Sequence, residues 1–158
     1  QISYLVKSVE KLSVIADIVI VDTGAGISDS VMEFVASSPE ILLVTTPEPS
    51  SLTDAYSLLK MLYRNPKYDK NESVIHVLTN RVASFGEGKM VFDKLESVVK
   101  QFLDGSVHYI GIIPQDAMLE KAVRIQKPVS IVSPNGGKQD SSEQNAFRQF
   151  LTKLFNLS

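Results

Sequence analysis

The sequence predicts an α/β fold, three-layered and doubly wound, with a mainly parallel sheet and flanking helices. Two observations carry this reading. Short, β-branched, continuously apolar runs alternate with longer stretches of helical spacing. Unbroken apolarity marks a strand buried on both faces, and strand–helix alternation calls for parallel pairing through right-handed crossovers. The length, 158 residues, suits one domain, so residues 1–158 are read as a single α/β domain.

Four runs are the expected strands: Asp17-Ile-Val-Ile-Val-Asp22, Glu40 to Thr46, Ser73 to Thr79 and Val107 to Ile113. Between them, Ser28 to Ser38 places Val31, Phe34 and Val35 at helical spacing. Ser51 to Arg64 does the same with Ala55, Leu58, Leu59 and Leu62, and Ser51 with Asp54 suggests a capping pair at its start. From Gly88 to Leu103, one wide stripe runs through Val91, Phe92, Leu95, Val98, Val99 and Phe102. Asp116 to Gln126 reads as a short helix ended by Lys127-Pro128. Ser141 to Asn156 reads as a last helix after a loop over Ser133 to Ser142, and Ile2 to Leu12 as a helix feeding the first strand. The final helix carries a mixed polar face of Glu143, Arg148 and Lys153, which favours core packing over a membrane anchor.

Composition removes several function classes. Sixteen Lys and Arg against 18 Asp and Glu leave a net charge of −2, so a basic nucleic-acid surface is not the theme. With no cysteine there is no disulfide framework, thiolate zinc site or thiol nucleophile. His76 and His108 are the two histidines, too few for a histidine metal cluster. No apolar run reaches the ~18 residues that span a bilayer, and no signal peptide opens the chain, so a cytoplasmic protein is expected.

In a parallel sheet the strands end at one carboxyl edge, where open α/β folds bind ligands. The expected tips there are Asp22-Thr-Gly-Ala-Gly26, Thr46-Pro-Glu-Pro-Ser-Ser51, Asn80-Arg81 and Pro114-Gln-Asp116. Asp22 follows four apolar residues, the position of an acid that holds Mg²⁺ through water or orients an attacking water, or else a turn cap. Gly24 and Gly26 beside it let a ligand approach the main chain closely. Asn80 is either a base-reading amide or a turn residue, and Arg81 reads as a surface cation. Pro114 and Asp116 suit the wall and rim of a base pocket, with Asp116 equally a helix N-cap. Glu48, between two prolines, sits on a stiff loop suited to an interaction.

Val21-Asp-Thr-Gly-Ala25 also matches an aspartic-protease signature, but that chemistry needs a second copy or a symmetric dimer on a nearly all-β scaffold. Gly86-Glu-Gly88-Lys89 lacks the remaining glycine and the hydroxyl residue of a phosphate loop, and reads as a helix entry. A receiver-like domain phosphorylated on Asp22 lacks the acidic pair expected beside such an aspartate.

Taken together, the segments resemble the MinD/ParA family of deviant P-loop ATPases, and within it the FlhG/YlxH branch. The residues that carry the likeness are Asp17 to Ser28, Thr46-Pro-Glu-Pro-Ser-Ser-Leu-Thr-Asp-Ala-Tyr56 with Lys60, Thr79-Asn80-Arg81, and Gly111-Ile-Ile-Pro-Gln-Asp116 followed by Ala122 to Pro128. It covers nearly the whole chain from about residue 10.

The resemblance implies that Asp22 is the Walker B acid near Mg²⁺, and that Thr23, Gly24 and Gly26 belong to a switch sensing the γ-phosphate. It implies that Asn80 and Arg81 face adenine, with Pro114 and Asp116 lining the base pocket. It further implies an ATP-dependent homodimer that binds the membrane surface, and action on flagellar number and position with a FlhF-like GTPase and flagellar C-ring proteins. No direct nucleic-acid contact is expected. The family's Lys-Gly-Gly-x-Gly-Lys-[Ser/Thr] loop has no counterpart here. The chain, which begins at Gln1, is therefore expected to be the C-terminal half to two-thirds of such an ATPase, without roughly 60–100 residues. ATP or ADP and Mg²⁺ belong to the parent, and none is expected to bind tightly to this chain or be hydrolysed by it. The alternative is a MinD-like protein-binding module without nucleotide.

Overall fold

A computed structural model describes residues 11–24, 26–127 and 152. The expected helices over 2–12 and 141–156 and the loop over 133–142 fall wholly or largely outside these residues. After a 3-10 turn at Lys11–Val14 come α1 (Asp29–Ala36), β1 (Glu40–Thr45), α2 (Pro49–Tyr63), β2 (Val74–Val82), α3 (Phe85–Leu103), β3 (His108–Pro114) and α4 (Ala117–Arg124).

The three strands form one sheet in the order β1-β2-β3, parallel throughout. The expected α/β class is thus what folds. Because strand order follows chain order, right-handed crossovers place α2 and α3 on the same face. One core results: Ile41, Leu43, Ile75 and Val77 from the sheet meet Leu59 and Leu62 of α2 and Phe92, Leu95 and Val99 of α3. Met32 and Ala36 bring α1 into the same cluster. On the other face of β1, Leu42 and Val44 are exposed. Continuous apolarity predicted cover on both faces; among the described residues only one face of β1 is covered.

Local chemistry fixes the helix starts. Ser28 caps α1, its hydroxyl accepting from Val31 N, with Asp29 in the first turn favoured by the helix dipole. α2 begins two residues before the expected Ser51, because Pro49 suits the first helical position. Ser51 caps nothing: its hydroxyl accepts from Thr46 N at 3.0 Å and lies 3.0 Å from the Thr45 hydroxyl, tying helix to strand. α3 begins with a capping pair in which Ser84 Oγ accepts from Glu87 N and Glu87 Oε2 accepts from Ala83 N at 2.6 Å. Gly88 then lies so close to the sheet that a Cβ there would strike Ile112 and the Thr79 hydroxyl. The Gly86-Glu-Gly88-Lys89 stretch is thus a helix entry, as read.

The expected first strand does not form. Asp17 to Asp22 lies outside the sheet, and Ile18, Val19, Ile20 and Val21 are all exposed. A strand exists only as one side of a hydrogen-bonded ladder, and this segment has no ladder partner among the described residues.

Candidate functional site at the carboxyl edge of the sheet

All three strands run the same way, so their carboxyl ends converge. Thr46, Pro47 and Glu48 follow β1, Arg81 and Ala83 lie at the end of β2, and Gln115 follows β3; with Glu87 of α3 they line a cavity of about 180 Å³. Asn80 and Pro114 belong to the same strand ends, and the Asp116 carbonyl accepts from Glu120 N at 3.2 Å, opening α4.

Two backbone features shape the cavity. Arg81 has φ +57°, a left-handed conformation that non-glycine residues rarely adopt. Asn80 Oδ1 accepts from Arg81 N at 2.8 Å, a local bond that holds the turn. Arg81 was read as a surface cation: it is exposed, and its Nη1 stands 3.7 Å from Glu48 Oε1 across the cavity. Gln115 is fixed at both ends, its N donating to Val82 O at 2.9 Å and its Nε2 to Glu120 Oε1 at 3.0 Å. The Thr46 hydroxyl is buried with no hydrogen-bond partner among the described residues.

The lining holds two carboxylates, Glu48 and Glu87, and one guanidinium, Arg81. That balance does not attract a polyphosphate; it suits a neutral group rich in donors and acceptors, such as a nucleobase or a ribose. Among the described residues, no group of three or more His, Cys, Asp or Glu side chains is placed to hold a metal ion. Asp22, Thr23, Gly24 and Gly26 are exposed, lie in no strand and line no part of this cavity. Of the expected site, the structure therefore gathers the β2 and β3 tips and leaves the Asp22 loop apart. Sequence reasoning placed Thr46 to Glu48 and Gln115 on the expected tips, singled out Pro114 and Asp116 beside Gln115, and missed Ala83 and Glu87. The Ser84–Glu87 spacing was the available signal for Glu87.

No family profile matches the chain. Among curated proteins, it is 42% identical over 125 residues to the antiactivator FleN of Pseudomonas aeruginosa, across 79% of this chain and 43% of that protein. The chain belongs to the MinD/ParA family. It is also 34% identical over 131 residues to the flagellum site-determining protein YlxH of Helicobacter pylori, across 82% of this chain and 42% of that one. The chain thus spans somewhat under half the length of these relatives. Among solved structures, the septum site-determining protein MinD of Pyrococcus horikoshii, complexed with Mg-ADP, superposes with a TM-score of 0.68 at 20% identity. That match covers 99% of this chain and 58% of that one, and shows the shared MinD fold.

Proposed function

We propose that the chain is the C-terminal part of a MinD-like ATPase domain, whose parent is an ATP-dependent, dimerising switch controlling flagellar number and placement. The observation that carries this is the 42% identity to an antiactivator, FleN, supported by the likeness to YlxH, named for determining flagellar site. The partners proposed for the parent are a second copy, a FlhF-like GTPase, flagellar C-ring proteins and the inner face of the cell membrane, with the protein otherwise cytoplasmic.

In this reading the carboxyl-edge cavity takes the nucleoside end of ATP. The proposed base contacts are Asn80 and Arg81 at the end of β2, with Pro114 and Asp116 on either side of the lining residue Gln115, and the net-negative lining turns the phosphates away. Bound Mg²⁺ would supply charge neutralisation for phosphoryl transfer. Asp22 is the proposed carboxylate for it, with Thr23, Gly24 and Gly26 as the responsive loop. One carboxylate makes no metal site on its own, so this chain alone is expected neither to bind Mg-ATP tightly nor to hydrolyse it. No Gly-x-x-x-x-Gly-Lys-[Ser/Thr] stretch stands in it to hold the phosphates.

Two measurements test the reading. Disrupting the gene in its host is expected to change the number or position of flagella; unaltered flagellation sinks the flagellar assignment. Purified chain is expected to show no ATP turnover above background. Turnover that Asp22→Ala abolishes would overturn the fragment assignment. The second reading, a binding module without nucleotide, draws on Asp22 being exposed and not among the residues that line the cavity. It predicts that the complete reading frame also fails to bind ATP.

A further inference from the structure

At the opposite ends of the strands, where β2 and β3 begin, lies a second cavity, of about 390 Å³. That volume is within the range of small-molecule sites. Its lining comes from Tyr63 at the end of α2, Lys70 and Asn71 in the α2–β2 loop, Lys100 in the last turn of α3, and Asp104 to Ser106 before β3. Part of the wall is held firmly. The Tyr63 hydroxyl donates to Ser106 O at 3.2 Å and accepts from Ser106 N at 3.1 Å. Gly105 lies so close to the same ring that a Cβ there would strike it.

The cations are held more loosely. Lys70 Nζ stands 3.0 Å from Asp104 Oδ2, but the Asp104 side chain is 97% exposed, so water screens the pair. Lys100, also exposed, pairs with Glu96 one turn earlier at 2.9 Å. An ammonium has three N–H donors, and these contacts do not use them all. Lys70 uses two, on the Asp104 carboxylate and carbonyl, and Lys100 uses one. Asn71 gives one side-chain N–H to Asp69 Oδ1 at 3.1 Å and keeps the other. The lining thus combines spare N–H donors with two ammonium groups against one carboxylate, in a chain of net charge −2. The carboxyl-edge cavity has the opposite balance, two carboxylates to one guanidinium.

We propose that this amino-edge cavity binds the phosphoryl group of a small phosphorylated molecule, held between Lys70 and Lys100. A phosphoryl group brings nearly two charges and three acceptor oxygens, where a carboxylate brings one charge and two oxygens, so paired ammonium groups with spare donors favour the former. The Asn71 amide adds a neutral donor. Asp104 is the competitor within the site, since its carboxylate must release Lys70 as the ligand enters, and its exposure lets water take it up at once. Its backbone sits at φ +47°, a left-handed conformation that Asp and Asn adopt more readily than most residues. The site needs no nucleotide at the carboxyl edge and does not rest on the proposed function.

The test is titration of the isotope-labelled 158-residue chain with inorganic phosphate, glycerol phosphate and a phosphoserine peptide, followed through amide NMR shifts. The expected result is a saturable response to phosphate and glycerol phosphate at residues 70–71 and 100–106, and none to acetate at equal ionic strength. Lys70→Gln and Lys100→Gln, both at exposed positions, are each expected to weaken phosphate binding about tenfold, the loss of one charge-assisted contact. Asp104→Asn removes the competing charge and tolerates the left-handed backbone, so it is expected to tighten binding. Lys94→Gln, exposed on α3 and outside the cavity, is expected to change nothing. Shifts that do not saturate, that centre on 81–83 and 115, or that both cavity lysine variants leave unchanged overturn the proposal. So does an equal loss from Lys94→Gln, or weaker binding in Asp104→Asn, which would make the carboxylate a ligand contact. A phosphoserine peptide that binds more than about tenfold tighter than glycerol phosphate would give the site to a protein partner and overturn its small-molecule assignment.

Discussion

Residues 17–22 and 40–45 are nearly the same peptide. Asp-Ile-Val-Ile-Val-Asp and Glu-Ile-Leu-Leu-Val-Thr share length, an acidic first residue and an unbroken apolar middle. Yet the second is a strand with strictly alternating burial, and the first is exposed and in no strand. The difference is the neighbour. From Glu40 opposite Val74 to Thr45 opposite Thr79, β1 has a partner residue at each step, while 17–22 has none among the described residues. Strand propensity is a statement about fitting a pleated, half-buried surface, and it has no force where that surface is missing.

The comparison can be broken by mutation. Its strongest consequence is that Leu43→Ala, in β1, destabilises the fold by about 2–4 kcal/mol through lost burial and the cavity left behind. Ile20→Ala stays within about 0.5 kcal/mol at low protein concentration. Denaturant titration of both variants decides: equal losses would mean that 17–22 is as well packed as β1.

A smaller effect sharpens why β2 and β3 gain cover that 17–22 lacks. Gly88 lets α3 lie directly on Thr79 and Ile112, so Gly88→Ala is expected to cost about 1–3 kcal/mol in thermal unfolding. A neutral result would mean the helix can lift off without loss. Ser84→Ala, which removes the cap of the same helix, is expected to cost about 1 kcal/mol.

The mildest prediction concerns pH. Burial, chiefly, pushes the Tyr68 and Tyr109 phenols above the ordinary tyrosine value of 10.0. The folded chain therefore holds these protons more tightly than the unfolded one, so their contribution is intact below pH ~10 and lost as pH rises beyond it. Tyr109→Phe should flatten the alkaline loss of stability. An unchanged slope would show that the phenol ionises without penalty.

Much of the candidate site was legible because strand ends in a parallel sheet share an edge whatever else the fold does. Arg81 lines the cavity with Asn80 beside it, Pro114 and Asp116 flank the lining residue Gln115, and Glu48, singled out for its stiff loop, faces Arg81. What pattern could not supply was which side chains turn inward. Gln115 is aimed by its bond to Glu120, and Glu87 by the cap it makes with Ala83. Such directions come from hydrogen bonds between specific atoms, and no spacing of residue types encodes them.

The sequence by itself determined the helices at 29–36, 49–63, 85–103 and 117–124, to within a few residues at their ends, and three of four strands. It also determined the parallel sense of the sheet, because helical spacing, caps and crossover handedness are local or follow from chain order. Tertiary structure alone decided that α1, α2 and α3 share one core on one face, that Gly88 is a packing contact, and that Arg81 takes a left-handed backbone. It decided too that 17–22 is not a strand. Each of these depends on which surface is available to bury against, and that is a property of the assembled chain, not of any segment in it.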